Sequence, residues 1–222
     1  MTSSLQHIEN WIFDLDNTLY PPDADLFTHI DKRMAYYISV KLNLPLEKSQ
    51  KLQQDYYLKY GASLVGLYRY HNIDPYDYLA YVHNIEMDSL SPDLTLRRSI
   101  ENLPGRKWIF TNGDRPYAEQ VLERRGLSGV FEGVFDIHSS QYRPKPDPSC
   151  YQRMLEEFQA DGEKSLFVDD MACNLLPAKD QGMTTVWVNH GLKGQDGHIT
   201  EGHEKIDYEI YDVGSWLKEI TA

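Results

Sequence analysis

The sequence predicts an α/β protein: a Rossmann-like core on a parallel sheet, with an all-helical cap inserted after its first strand. Three observations carry this. From Ser91 onward, helical segments alternate with short apolar runs, the pattern of a parallel sheet with helices on both faces. A single apolar run at 11–13 stands apart near the N-terminus, and the tyrosine-rich stretch between is helical in spacing and nearly free of strand-like runs. The expected division is core at 1–20, cap at 21–90 and core again at 91–222.

Taken in order, Trp11, Ile12 and Phe13 read as a buried strand, broken by the Asp-Leu-Asp-Asn-Thr string that follows. In the cap, Phe27, Ile30, Met34, Tyr37 and Ile38 form one apolar stripe at helical spacing; Leu52, Tyr56, Tyr57 and Tyr60 form another. Residues 43–45 and 72–75 supply the breaks. Most of Tyr36, Tyr37, Tyr56, Tyr57, Tyr60, Tyr68, Tyr70, Tyr76, Tyr78 and Tyr81 are read as packing residues, with stacking on a planar substrate group as the alternative for one or two.

The core then continues with a helix at 92–102, a strand at 107–110 and a helix at 116–125 stopped by Gly126. A strand at 134–137, a helix at 148–157, a strand at 165–168, a helix at 174–181 and a strand at 184–188 follow. A weaker strand at 208–210 and a helix at 213–220 close the chain. Neither internal repeats nor low-complexity tracts interrupt this order.

Composition narrows the function classes. At 222 residues the chain can bury a full hydrophobic core without disulfides. Its two cysteines, Cys150 and Cys173, lie in no metal-binding spacing and suit a reducing compartment. The formal charge of −12 disfavours nucleic acid polymers and anionic membranes as partners. The doublets Arg97-Arg98, Arg106-Lys107 and Arg124-Arg125 are read as solvated helix ends. The stretch MTSSLQHIEN has neither the basic flank nor the apolar core of a signal peptide, and no apolar run reaches transmembrane length, so the expectation is a cytoplasmic protein, monomer or homodimer.

Four polar clusters end apolar strands. Asp14 and Asp16 follow the first; open α/β sheets place their chemistry at such ends, and two acids there can divide nucleophile or metal work from proton transfer, although a capping turn accounts for them too. Thr111, Asn112 and Gly113 offer phosphoryl-binding donors with room for close backbone approach, or else an N-cap and turn. Lys145, between Pro144 and Pro146, sits in a stiff frame suited to a preorganised charge, or is a plain loop lysine. Asp169 and Asp170 are adjacent acids whose repulsion a cation relieves; an all-oxygen site suits Mg²⁺, and capping of a helix at Asn174 is the alternative.

The order and content of these clusters resemble the haloacid dehalogenase-like hydrolase superfamily, through DLDNT, TNG, the lysine of RPKPDP and VDDMACN. Within it the chain looks most like the pyrimidine 5'-nucleotidases, through FDLDNTLYP, HNIDPYDYLAYVHNI, LPGRKWIFTNGDRPYAEQVLERRG and the FDI before the lysine motif. The resemblance implies a Mg²⁺-dependent phosphomonoesterase for a small phosphorylated metabolite, a nucleotide by preference. By that similarity Asp14 is the nucleophile, Asp16 the general acid and base, Thr111 with neighbouring N–H groups the phosphoryl cradle, and Lys145 the charge neutraliser. Mg²⁺ would be held by Asp14, the backbone carbonyl of Asp16, and Asp170, with Asp169 acting through water. Asp16 also separates phosphoryl transfer from carbon–halogen cleavage, whose enzymes lack an acid at that position. Two departures stand out: Asn174, where many relatives carry an acid, and Tyr117, where histidine is expected and where cap or substrate contact is anticipated.

Three rival readings remain. A phosphomutase would need a cap group such as His71, His83 or Lys59 as acid or base. A receiver domain shares acids, threonine, lysine and Mg²⁺ but in another order and without a helical lid. A catalytically dead binding module predicts the loss of at least one cluster, and all four are present.

Overall fold

The computed structural model describes residues 5–191 and 202–221; of the expected core segments, residues 1–4, 192–201 and 222 lie outside the described residues. A six-stranded, wholly parallel sheet forms the centre, in the order β3-β2-β1-β4-β5-β6. The strands are β1 Asn10–Phe13, β2 Arg106–Phe110, β3 Gly133–Phe135, β4 Ser165–Asp169, β5 Thr184–Val188 and β6 Tyr208–Ile210. Between β1 and β2 come α1 Leu26–Leu42, α2 Leu46–Tyr60, α3 Ser63–His71, α4 Pro75–Val82 and α5 Leu94–Glu101. The remaining helices are α6 Arg115–Arg124, α7 Pro148–Phe158, α8 Ala172–Asp180 and α9 Val213–Thr221.

Strand β1 is buried along its whole length because it pairs on both sides, with β2 and with β4. Alternation along the strand then sends Trp11 and Phe13 to one face and Ile12 to the other. The first face joins a large apolar cluster that continues into Ile30, Ile38, Leu64 and Tyr78 of the inserted helices; the second packs Ile12, Phe110 and Phe167 against Tyr151, Met154 and Leu175 of α7 and α8. The chain winds to one side of β1 through β2 and β3 and to the other through β4, β5 and β6. Strand order reverses there, and the crevice outside the carboxyl ends of such strands is where a ligand fits an open α/β sheet.

The breaks expected in the cap are made by the residues that suit them. Asn43 ends α1 at φ 52° and Asn72 ends α3 at φ 54°, while Asp74 caps α4 by accepting from the N–H groups of Tyr76 and Asp77. A further break at Gly61, φ 79°, separates α2 from α3. Helix α8 begins at Ala172, ahead of Asn174, so Asn174 lies inside the helix and does not cap it.

Several expectations need correction. Phe27 is exposed, off the buried stripe of Leu26, Ile30, Tyr37 and Ile38. Tyr57 and Tyr60 are only half-buried. Tyr36, Tyr68, Tyr70 and Tyr76 are exposed, although Tyr68, Tyr70 and Tyr76 lay their rings against Tyr142, Tyr56 and His138 respectively; a phenol carries a polar tip that tolerates water, so tyrosine at helical spacing does not imply burial. Tyr37 and Tyr78 do pack, edge to face. The arginine doublets are not simply solvated helix ends. Arg106 lies on β2 and donates to Asn10 and to the carbonyls of Phe158 and Gln159. Arg125 is buried, its guanidinium spread over Leu19 O, Ser91 O and Asp93 Oδ2. Five fixed donors on one plane let arginine satisfy loop carbonyls from inside.

Candidate active site

The ladder fixes Asp14 first: its N–H donates to Val168 O at 2.8 Å, prolonging the β1–β4 pairing by one residue and leaving its side chain at the sheet's carboxyl end. Thr111 follows β2 in the same way, its N–H on Phe135 O at 3.0 Å, and Asp169 ends β4. Three of the four predicted clusters are thus neighbours because their strands are neighbours.

Lys145 arrives from the loop after β3 and is 2 % exposed. Its Nζ donates to Asp14 Oδ1 at 2.7 Å, to Asp169 Oδ2 at 2.7 Å and to Phe110 O at 3.0 Å. The loop is held by Asn112, whose carboxamide accepts from Lys145 N at 2.8 Å and donates to Lys145 O at 3.1 Å. The Asn112 side chain clamps the lysine backbone, a pairing across 33 residues that local pattern does not show. Gly113 N donates to Thr111 Oγ1 at 2.9 Å, so the Thr111 hydroxyl must direct its own proton elsewhere. The cap of the following helix is Asp114, not the Thr-Asn-Gly cluster.

Asp169 is fully buried; besides Lys145 it accepts from Asn174 Nδ2 at 3.0 and 3.1 Å and from Met171 N at 2.8 Å. The amide that departs from the expected acid at 174 therefore orients Asp169. Burial pushes the Asp14 carboxyl up to about 7, Lys145 opposing and Asp169 and Asp16 adding to it. Asp170 is also held well above the ordinary carboxyl range, by burial and then by Asp169 and Asp14. Burial alone would lower the Lys145 ammonium, but Asp14 and Asp169 keep it above its usual value.

Asp14, Asp169 and Asp170 each offer a carboxylate oxygen within 4.8 Å of the others. Three acids against one ammonium leave excess negative charge, and hard oxygen donors so grouped fit Mg²⁺. The Asp16 carboxylate is outside this trio.

Asp16 is held differently. Its Oδ1 accepts from Tyr20 OH at 2.5 Å and from Tyr117 OH at 2.7 Å. Tyr117 is 1 % exposed and its ring stacks on His83, centroids 4.3 Å apart. His83 Nδ1 lies 2.7 Å from Asp114 Oδ1; a carboxylate only accepts, so Nδ1 carries the proton. The Asp114 carboxyl sits below its usual range: burial raises it, but the His83 hydrogen bond and charge outweigh that.

A cavity of about 800 Å³ covers the site. Asp14, Asp16, Asn112, Gly113 and Lys145 line it from the core; Phe27, Met34, Tyr57 and Tyr60 from α1 and α2, and His83 just after α4, line it from above. Gly61 seals α2 onto the lysine loop, since a Cβ there would stand 2.7 Å from Lys145 O. Of the expected site residues, Asp14, Lys145 and Asp169 are joined by hydrogen bonds and Asp170 joins through its carboxylate, while among the described residues the Thr111 hydroxyl is bonded to Gly113 N alone. Sequence reasoning missed the roles of Tyr20, His83 and Asp114, although the Asp-Arg-Pro opening of α6 marks Asp114 as an N-cap.

A family model for haloacid dehalogenase-like hydrolases matches residues 8–182, and the chain belongs to that family. Among curated relatives, phosphate metabolism protein 8 of Saccharomyces cerevisiae is 27 % identical over 91 % of the chain; the match spans 64 % of the yeast protein. Glyceraldehyde 3-phosphate phosphatase of Pyrococcus abyssi is 27 % identical over 81 % of this chain and 80 % of its own. The solved structure of a phosphatase of this family from Thermococcus onnurineus superposes with a TM-score of 0.64 at 20 % identity, covering 96 % of this chain and 97 % of that one, which speaks to the fold. No helix among the described residues is long and apolar enough to cross a membrane.

Proposed function

We propose that the protein is a Mg²⁺-dependent phosphomonoesterase that hydrolyses a small phosphate ester through an aspartyl-phosphate, with a pyrimidine nucleoside 5'-monophosphate as the preferred substrate. The observation that carries this is Asp14: a carboxylate at a sheet's carboxyl end, held by a buried lysine, facing a cavity with a second acid two residues on. The relatives named as phosphatases support it.

Asp14 attacks phosphorus as the ester P–O bond breaks, and Asp16 gives a proton to the departing oxygen. Asp16 then takes a proton from the water that opens the aspartyl-phosphate. Lys145 favours the ionised form of Asp14 against the burial that raises it and offsets charge on the phosphoryl group, and Thr111 with the Asn112 backbone N–H holds the phosphoryl oxygens. Asp14, the Asp16 carbonyl and Asp170 would hold Mg²⁺, with Asp169, whose oxygens already accept from Lys145, Met171 and Asn174, acting through water, and the ion would add neutralisation of phosphoryl charge. Helices α1–α4, residues 21–90 in the expected division, act as the lid that sets the substrate.

The test is phosphate release across UMP, CMP, AMP, GMP, phosphoglycolate and glyceraldehyde 3-phosphate, with Mg²⁺ and with chelator. Pyrimidine preference and chelator sensitivity are expected; a flat panel defeats the nucleotidase reading, and turnover retained by Asp14→Asn defeats the covalent one.

A further inference from the structure

We propose that Tyr20 and Tyr117 are positioning residues that aim the Asp16 carboxyl at the leaving-group oxygen, with Tyr117 itself set from the inserted helices through His83 and Asp114. The inference rests on the phosphoryl-transfer reading of the site.

The geometry is specific to one oxygen. Both phenols donate to Asp16 Oδ1, and the two hydroxyls stand 3.3 Å from each other. Asp16 Oδ2 accepts no hydrogen bond among the described residues, while Asp16 lines the cavity. A carboxyl gripped through one oxygen by two donors of opposite origin, one on its own loop and one on α6, cannot rotate freely; the other oxygen is left toward the substrate. In the transfer step Oδ2–H gives its proton to the ester oxygen. The electron pair of the breaking P–O bond stays on that oxygen, the Asp14–phosphorus bond forms, and Asp16 is left as a carboxylate whose Oδ1 already has two donors.

Tyr117 owes its place to the inserted helices. Its ring lies nearly parallel to His83, at 19°, and His83 follows α4 directly. Asp114, the N-cap of α6, fixes the His83 ring, so the same residue that starts the Tyr117 helix also holds the ring stacked upon it. A lid placed over the substrate thereby bears on the orientation of the acid.

Leaving-group dependence tests this. p-Nitrophenolate leaves as a stable anion without a proton, whereas an alkoxide needs one, and kcat/KM reports steps only through release of the leaving group. For Tyr117→Phe we expect kcat/KM to fall about 10–100-fold with an alkyl phosphate (UMP or glycerol 3-phosphate, whichever the unmodified enzyme turns over faster) and less than about threefold with p-nitrophenyl phosphate. Tyr20→Phe should move the same way, and the double variant furthest. Equal losses on the two substrates, or none with the alkyl phosphate, overturn the proposal. Should Tyr117→Phe fail to fold, with both activities lost and its circular dichroism changed, Tyr20→Phe decides by the same ratio. An unmodified enzyme that releases phosphate from neither substrate overturns the phosphatase reading itself, a result distinct from equal losses in an active one.

Discussion

Replacing Lys145 by methionine keeps the side chain's length and removes its charge. In the native site Nζ makes three bonds, two of them 2.7 Å contacts to the carboxylates of Asp14 and Asp169, and lies 5.1 and 5.2 Å from the ring centroids of Phe110 and Phe167. Lys145 is 2 % exposed and Asp169 0 %, so water cannot replace the lost partner. Removing one member of a buried ion pair costs about 3–5 kcal/mol, chiefly because the remaining charge is stranded. For a chain of this size each kcal/mol moves Tm by about 2–4 °C, so the expected fall is about 6–20 °C in chelator. Thermal unfolding followed by circular dichroism in EDTA measures it. Lys145→Met with Asp169→Asn should regain part of the loss, since one stranded charge is gone, and a double-mutant cycle isolates that coupling. A Tm drop below about 3 °C for Lys145→Met, or no recovery in the double variant, would show that the ammonium does not hold these carboxylates.

Three other outcomes follow from the same contacts. Asn112→Ala removes both bonds to the Lys145 backbone; stability should fall by about 1–3 kcal/mol in urea melts and phosphate release by about tenfold, with substrate KM changing less. Gly61→Ala introduces a Cβ at φ 79°, 2.7 Å from Lys145 O, and should cost at least about 1–2 kcal/mol in the same melts. Burial pushes the Cys150 thiol up to about 12 and Cys173 up to about 11, so iodoacetamide at pH 8 should alkylate both at least about tenfold more slowly in the native protein than in urea, as read by mass spectrometry.

The sequence by itself determined the sheet and the ends of its strands. An apolar run stopped by Asp, Thr or Asp-Asp is a local pattern, and a parallel sheet converts strand order into adjacency, so Asp14, Thr111 and Asp169 could be placed together from one dimension. Helix boundaries were legible for the same reason: Asn43, Asn72, Asp74 and Gly126 act through their own φ values and their own side chains. What only the tertiary structure decided are pairings between distant residues that leave no period: Asn112 gripping the lysine loop, Tyr117 reaching Asp16 across 101 residues, and His83 stacking on Tyr117. Whether a cap tyrosine packs or meets water was likewise undecided, because a phenol is stable in either setting and only the neighbouring helix settles it. Side-chain chemistry named the groups at the site; the contacts across the fold set which oxygen each one holds.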